Sequence, residues 1–328
     1  MDHADDDNDD DVFVYMGGEI PQHLRETITH VRVHKSVKII TREAFKRCRN
    51  LVSIEMHNGV EIIEKLSFWA CHSLRRIKLP GVKVTGERAF AGCRALENVE
   101  FGDKLETIGR RAFQSTSLRK IQLPKVRAIG IRAFTECEQL TEVELSEDLE
   151  VIEEGAFEDC PNLRRVALPL KDNLLDVEED FEDDDAFTNC ANLSQVDLIG
   201  GIHKTISSLL LDSWKNEMND EIDSINRDLP NTRHYEKTVL IQQWMERVIR
   251  RIEHYISEHY ALLKEFTILL ELALWKAKLD ESQDERSLGS NQPAKKVRVD
   301  TKASRQEQRI TSGASIVIKN VLPFLGLE

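Results

Sequence analysis

Six cysteines, ten histidines and two runs of aspartate are the side chains in this 328-residue sequence with the chemistry to bind a metal, carry redox work or act as nucleophiles. Their spacing argues against each role. Zinc sites need cysteines in tight pairs, whereas Cys48, Cys71, Cys93, Cys137, Cys160 and Cys190 are never closer than 22 residues. A catalytic thiol needs a base beside it, and the histidines are scattered; His254 and His259 are five apart, which is not the HExxH spacing. Asp5, Asp7 and Asp9 begin the spacing of a calcium loop, but Asp10 and Met16 hold the Gly and Glu places. The acidic stretch 171–185 supplies no register with both of those residues. With no GxSxG and no Walker loop either, the sequence predicts no catalytic residue, no cofactor and no metal.

What the cysteines share is a position. Ala44-Phe45, Ala89-Phe90, Ala112-Phe113, Ala133-Phe134, Ala156-Phe157 and Ala186-Phe187 recur, with Ser67-Phe68 as a variant, and the phenylalanines are 23, 22, 23, 21, 23 and 30 residues apart. Every cysteine stands three residues after one of these phenylalanines, and Thr116 takes the place in the fourth unit. One thiol per coil of a stacked solenoid is a small buried filler.

After each cysteine comes an alternating element: Leu51, Ile54, Met56; Leu74, Ile77, Leu79; Leu96, Val99, Phe101; and so on to Leu193, Val196, Leu198, with Ile28, Val31, Val33 as an eighth copy ahead of the first turn. Alternation over so short a span marks a strand with one buried face. Ile40, Ile63, Ile108, Ile129 and Ile152, five residues before most of the phenylalanines, supply the opposite wall. No coil buries its apolar face alone, so neighbours stack into one core.

The unit, approximately I-x-x-x-A-F-x-x-C-x-x-L-x-x-I-x-L-P, with Pro80, Pro124 and Pro169 after three of the strands, resembles the BspA-like family of leucine-rich repeats over residues 28 to 200. It departs from better-known leucine-rich repeats in placing Gly59, Val82, Lys104, Val126 and Asp148 where those carry Asn or Cys. The resemblance implies a right-handed curved solenoid with a parallel sheet, used for binding proteins rather than for catalysis. The expected fold is therefore α/β: a solenoid of about eight coils followed by a C-terminal helical hairpin.

Residues between the inward positions of a strand point outward. Coil by coil they give Arg32, Glu55, Arg76 with Lys78, Glu100, Lys120, Glu142 with Glu144, Arg165 and Asp197. The sign alternates through all eight strands, and neighbours about 4.8 Å apart can pair. These ten residues form the candidate interaction face. Cross-strand pairing would leave little net field to attract a polyanion.

The formal charge of −13, from 45 Lys plus Arg against 58 Asp plus Glu, belongs to two segments. Residues 1–11 hold seven Asp and no Lys or Arg, and residues 171–185 hold nine acids against Lys171. The expected organisation is an acidic tail (1–11), a solenoid (12–201) with the acidic insertion 171–185, a two-helix hairpin (202–279), a basic linker (280–312) and an apolar C-terminal segment (313–328) that docks. Ile206 to Ile225 recur at helical spacing until Leu229-Pro230; Ile249, Ile256, Leu263 and Leu270 are seven apart in a longer helix from about His234 to Leu279, whose seam includes His259. Lys295, Lys296 and Arg298 resemble the core of a nuclear-import signal.

An acidic start without an apolar segment points to an intracellular protein, cytoplasmic or nuclear. The functional expectation is a non-enzymatic protein-interaction scaffold, a monomer, with an unknown protein as partner and neither nucleic acid nor membrane. The alternative is a structural protein dimerising through residues 234–279, and a third reading is a nuclear regulatory factor.

Overall fold

Alternating apolar residues become strands with one buried face. In the computed structural model, which describes residues 12–175, 185–200 and 212–288, nine strands run parallel along one face. They are β1 (Val12–Tyr15), β2 (His30–Val33), β4 (Ser53–Glu55), β6 (Arg76–Leu79), β8 (Asn98–Phe101), β10 (Lys120–Gln122), β12 (Glu142–Glu144), β14 (Arg165–Pro169) and β15 (Gln195–Ile199). Six two-residue strands between them form a second parallel sheet: β3 (Ile39–Ile40), β5 (Ile62–Ile63), β7 (Val84–Thr85), β9 (Thr107–Ile108), β11 (Ala128–Ile129) and β13 (Val151–Ile152). Complete turns, with a strand in both sheets, therefore number six among the described residues, fewer than the eight expected. Beyond β13 only an isolated bridge from Ile152 to Leu175 continues the second sheet, just before the acidic insertion. At the other end β1 adds a strand that no Ala-Phe unit announces.

The Ala-Phe pair is where each coil turns. Residues two before and two after the phenylalanine take left-handed backbone angles, as in Glu43 and Arg47 (φ 59 and 61) or Arg88 and Gly92 (φ 54 and 73). The N–H groups of Glu43, Phe45 and Arg47 then donate to the carbonyls of Lys65, Ser67 and Trp69 in the next coil, at 3.1, 2.7 and 2.7 Å. Stacking in this register brings the seven phenylalanines into one column. From Phe45 to Phe187 successive ring centroids lie 5.0 to 5.6 Å apart with planes within 11°. Each ring is fully buried, which stabilises the fold by roughly 1.5–3 kcal/mol per side chain.

The thiols sit beside this column, buried and unbridged. They are more than fillers: Cys71, Cys93, Cys137, Cys160 and Cys190 donate to the carbonyls of Phe45, Phe68, Phe113, Phe134 and Phe157, at 3.1 to 3.3 Å. Burial pushes the Cys48 thiol up to about 11 and the Cys190 thiol up to about 12. Neither is a nucleophile at neutral pH.

A stacked ladder leaves unpaired backbone groups at both ends. At the first coil, the Arg25 guanidinium donates to the carbonyls of Glu43 (3.3 Å) and Lys46 (2.5 Å). At the last coil, helices take over: α1 (Asp212–Asp228) and α2 (Lys237–Leu288), joined through a 3-10 turn at Leu229–Asn231 that carries Pro230. Asn226 accepts from the Val196 N–H at 2.7 Å, and the Thr238 hydroxyl accepts from the Phe187 N–H at 3.0 Å. Lys237, only 1% exposed, donates to the carbonyls of Cys190, Ala191 and Leu193 at 3.2, 2.8 and 2.7 Å.

Two compact units divide the chain, Met1–Ile256 and Ser257–Glu328. In the first, α1 and the start of α2 form an antiparallel hairpin around Met218, Ile225, Trp244, Met245 and Val248, with Arg251 bridging Glu217 (3.2 Å) and Glu221 (2.5 Å). In the second, α2 continues to Leu288, past the Leu279 boundary expected from the sequence; Asp280, Glu281, Gln283 and Glu285 are tolerated in a helix, and Gly289 follows its end. Ile268, Leu270, Leu272 and Leu274 are exposed on it. No helix among the described residues is long and apolar enough to cross a membrane. The runs 1–11 and 176–184, residues Ile206 and Leu210, the side chain of His259, the candidate import signal Lys295, Lys296 and Arg298, and the segment 313–328 lie outside the described residues.

Candidate interaction face

The register of the long strands places the ten candidate residues in two rows. One row runs His30, Ser53 and, further along, Lys120, Glu142, Arg165 and Gln195; the other runs Val14, Arg32, Glu55 and, further along, Gln122, Glu144, Ala167 and Asp197. Arg76 faces Asn98 and Lys78 faces Glu100 between them. The ten candidates are on the outward face, as the alternation requires, whereas Ala167 in the second row is fully buried.

Four cross-strand ion pairs form: Arg32–Glu55 at 2.8 Å, Lys78–Glu100 at 2.9 Å, Lys120–Glu142 at 2.9 Å and Arg165–Asp197 at 2.5 Å. The last is diagonal, since Arg165 is level with Gln195. Glu144 accepts from Gln122 at 3.2 Å instead of pairing with a cation, and Arg76 has no ion pair among the described residues. Exposure keeps each bond weak: Lys120 and Glu142 are 66% and 41% exposed, so the pair is worth about 0.2–1 kcal/mol.

The pairs respect a division of the sheet that the sequence does not announce. Hydrogen bonding groups the long strands as β1-β2-β4, β6-β8 and β10-β12-β14-β15. Every pair lies inside a group. Across the break between β8 and β10, Glu100 and Lys120 face a depression of about 600 Å³ that runs from Asn98 to Arg165 and is floored by Phe101, Ile121 and Leu123. Across the break between β4 and β6 lies a second depression, about 420 Å³, lined by Glu55, Met56, Arg76 and Lys78. A third, about 410 Å³, is bounded by Val14, Arg32, His34 and Met56. The face thus offers three adjoining hollows with apolar floors and paired charges on their rims.

Sequence reasoning missed Asn98, Gln122 and Val14 on this face because it tracked charge alone. It also missed a second ladder near the short strands, where Lys83–Glu61, Lys125–Asp148 and Lys65–Glu87 pair at 2.9, 3.0 and 2.6 Å and Arg127 pairs with Glu150. Their spacing of 22 or 23 residues, one coil, was the available signal. Lys83 holds the Glu61 carboxyl below the usual glutamate range by hydrogen bond and charge, and Lys125 does the same for Asp148. Among the described residues no group of three or more His, Cys, Asp or Glu is placed to hold a metal ion.

A sequence profile described as the BspA type leucine rich repeat region matches the chain in six copies, within residues 24–126, 81–182 and 124–226. Among solved structures the chain is similar to a leucine rich repeat protein of T. pallidum, TpLRR, at 34% identity over 45% of this chain and 67% of that one, with a TM-score of 0.39. It is also similar to a leucine rich cell surface protein of Faecalibacterium prausnitzii (20% identity, 55% and 62% covered, TM-score 0.28) and to a leucine-rich repeat protein of Eubacterium ventriosum (23%, 52% and 38%, TM-score 0.34). No curated protein matches.

Proposed function

The chain belongs to the BspA-type leucine-rich repeat family, and on that premise we propose that it is a non-enzymatic scaffold whose long-sheet face binds a partner protein. One observation carries this reading: the adjoining hollows across the sheet breaks, with Phe101, Ile121 and Leu123 beneath and paired charges around them. Apolar floors with a polar rim suit a protein surface, whose binding energy concentrates in a few buried side chains. Ion pairs satisfied within the face give specificity and cancel the net field that a polyanion would need.

The test is affinity capture with the full chain and with Asn98→Trp, which fills the largest hollow from an exposed outward position and leaves the ion pairs alone. Partner proteins bound by the unchanged chain should be lost from a variant with the same melting temperature. Retention of every captured protein by Asn98→Trp would remove the long-sheet face from the account.

Exposed Ile268 and Leu272 on one side of the helix of the Ser257–Glu328 unit, and Leu270 and Leu274 on another, favour a second reading, self-assembly through that helix. Sedimentation of the full chain decides it: a concentration-independent monomer mass excludes that reading.

A further inference from the structure

The turns of the first four Ala-Phe units carry a basic edge of a different character from the long-sheet face. Thr41–Asn50, Glu64–Ser73, Gly86–Ala95 and Gly109–Leu118 hold nine Lys or Arg against Glu43, Glu64 and Glu87. In the next two turns, 130–139 and 153–162, the balance reverses to six acids against Arg132. Arg47, Arg49 and Arg94 form no ion pair with a carboxylate among the described residues, whereas the cations of the long-sheet face are mostly paired. Stacking aggravates this. Arg49, His72 and Arg94 each stand four residues after a phenylalanine whose ring is 5.0 Å from the next, so the three form a row one coil apart. Partial desolvation, and then the charges of these two arginines, hold the exposed His72 imidazole below its usual range. Trp69 lies within the patch, with Arg47 4.9 Å and Lys46 5.7 Å from its ring centroid. Like charges this close persist at lower cost when an anion covers them.

The chain carries a matching anion at the same end. Residues 1–11 hold seven Asp and no Lys or Arg, and Asp11 directly precedes Val12, the first residue of β1. Val12 is level with His30, and His30 with Ser53, so the start of β1 stands two strand spacings, about 10 Å, from Ser53. Arg49 is four residues before Ser53. Eleven residues reach at most about 36–40 Å, more than this gap requires.

We propose that the N-terminal Asp run docks on the basic turn edge formed by Arg47, Arg49 and Arg94 around Trp69, and so shields that edge from other polyanions. Being tethered, the run acts at an effective concentration of about millimolar, enough for a weak electrostatic contact to persist. The contact is independent of the long-sheet face and does not rest on that face binding a protein.

A fluorescent peptide with the sequence of residues 1–11 tests the docking in trans, titrated at low salt into two full-length proteins: the unchanged chain, and a variant with all seven Asp of residues 1–11 changed to Asn. The Asn variant should bind the peptide saturably and about tenfold or more tighter than the unchanged chain, whose own run competes. Adding Arg49→Glu and Arg94→Glu to the Asn variant should abolish binding while leaving its circular dichroism spectrum unchanged, since both side chains are exposed. Equal affinity for the two proteins, or no binding to the Asn variant, overturns the proposal.

Discussion

The ammonium of Lys237 lies 2.7 Å from the carbonyl oxygen of Leu193, and two further carbonyls, of Cys190 and Ala191, share the same amine. At Ala191 a helix side chain thereby takes the place of the donors that a further coil would supply, as Asn192 supplies its backbone N–H and side-chain amide to the Pro161 carbonyl one coil earlier. The arrangement is costly in desolvation, which holds the Lys237 pKa below its ordinary value, and it is tolerated because three acceptors surround the charge.

Lys237→Met keeps an unbranched stem one atom shorter and removes the donors. The Cys190 carbonyl keeps the Leu193 N–H, at 3.1 Å, but leaving the Ala191 and Leu193 carbonyls unpaired in a buried site is expected to destabilise the chain by about 2–3 kcal/mol, read as a lower midpoint in urea. A change within about 0.5 kcal/mol, the range of an ordinary surface substitution, would mean that the cap contributes nothing.

The left-handed turn positions give a paired prediction of opposite signs. Ala70 (φ 59) and Gly92 (φ 73) occupy equivalent places in successive coils. Ala70→Gly should stabilise by up to about 1 kcal/mol through relief of backbone strain, and Gly92→Ala should destabilise by about 1 kcal/mol. Thermal melts of the two variants moving in the same direction would contradict the turn geometry.

Thr85 stands where five other coils carry Ile, and its buried hydroxyl has no hydrogen-bond partner. Thr85→Val keeps the shape and removes the unsatisfied oxygen, so a gain of about 1 kcal/mol is expected in the unfolding free energy. A loss would show that the hydroxyl is satisfied in solution.

Glu61 titrates low because of Lys83. A depressed carboxyl pKa means that the unfolded state binds more protons, so the stabilisation is present above the ordinary glutamate value of about 4.3 and is lost as pH falls through the lower folded value. Carboxyl NMR titration should place Glu61 below about 4.3 in the unchanged chain and near it in Lys83→Met. An unmoved midpoint in the variant would contradict the pairing.

How much of this was legible in the sequence follows from periodicity. Phe45, Cys48 and Leu51 announce themselves because their role repeats every coil, and Arg32, Glu55 and Lys120 because alternation fixes which way they point. Which neighbour each charge chooses was not legible: Lys120 has an opposite charge on either side, and the break between β8 and β10 sends it to Glu142 rather than Glu100. The ends were not legible either. Arg25, Asn226, Lys237 and Thr238 each act once, on partners that no repeat position marks. The expected eighth and seventh coils failed as complete turns because counting strands on one face says nothing of the second sheet, whose last strand among the described residues is β13.

Site-specific photocrosslinking tests the central claim, that the long-sheet face is the partner-binding surface. A photoreactive phenylalanine analogue replaces Gln122, exposed in the largest hollow, and in a second protein replaces Gln114, on the turn edge. Irradiation in the cells that make the protein should yield a discrete cross-linked partner from position 122 and none from position 114. Products from 114 alone, the same products from both, or none from either would contradict the account.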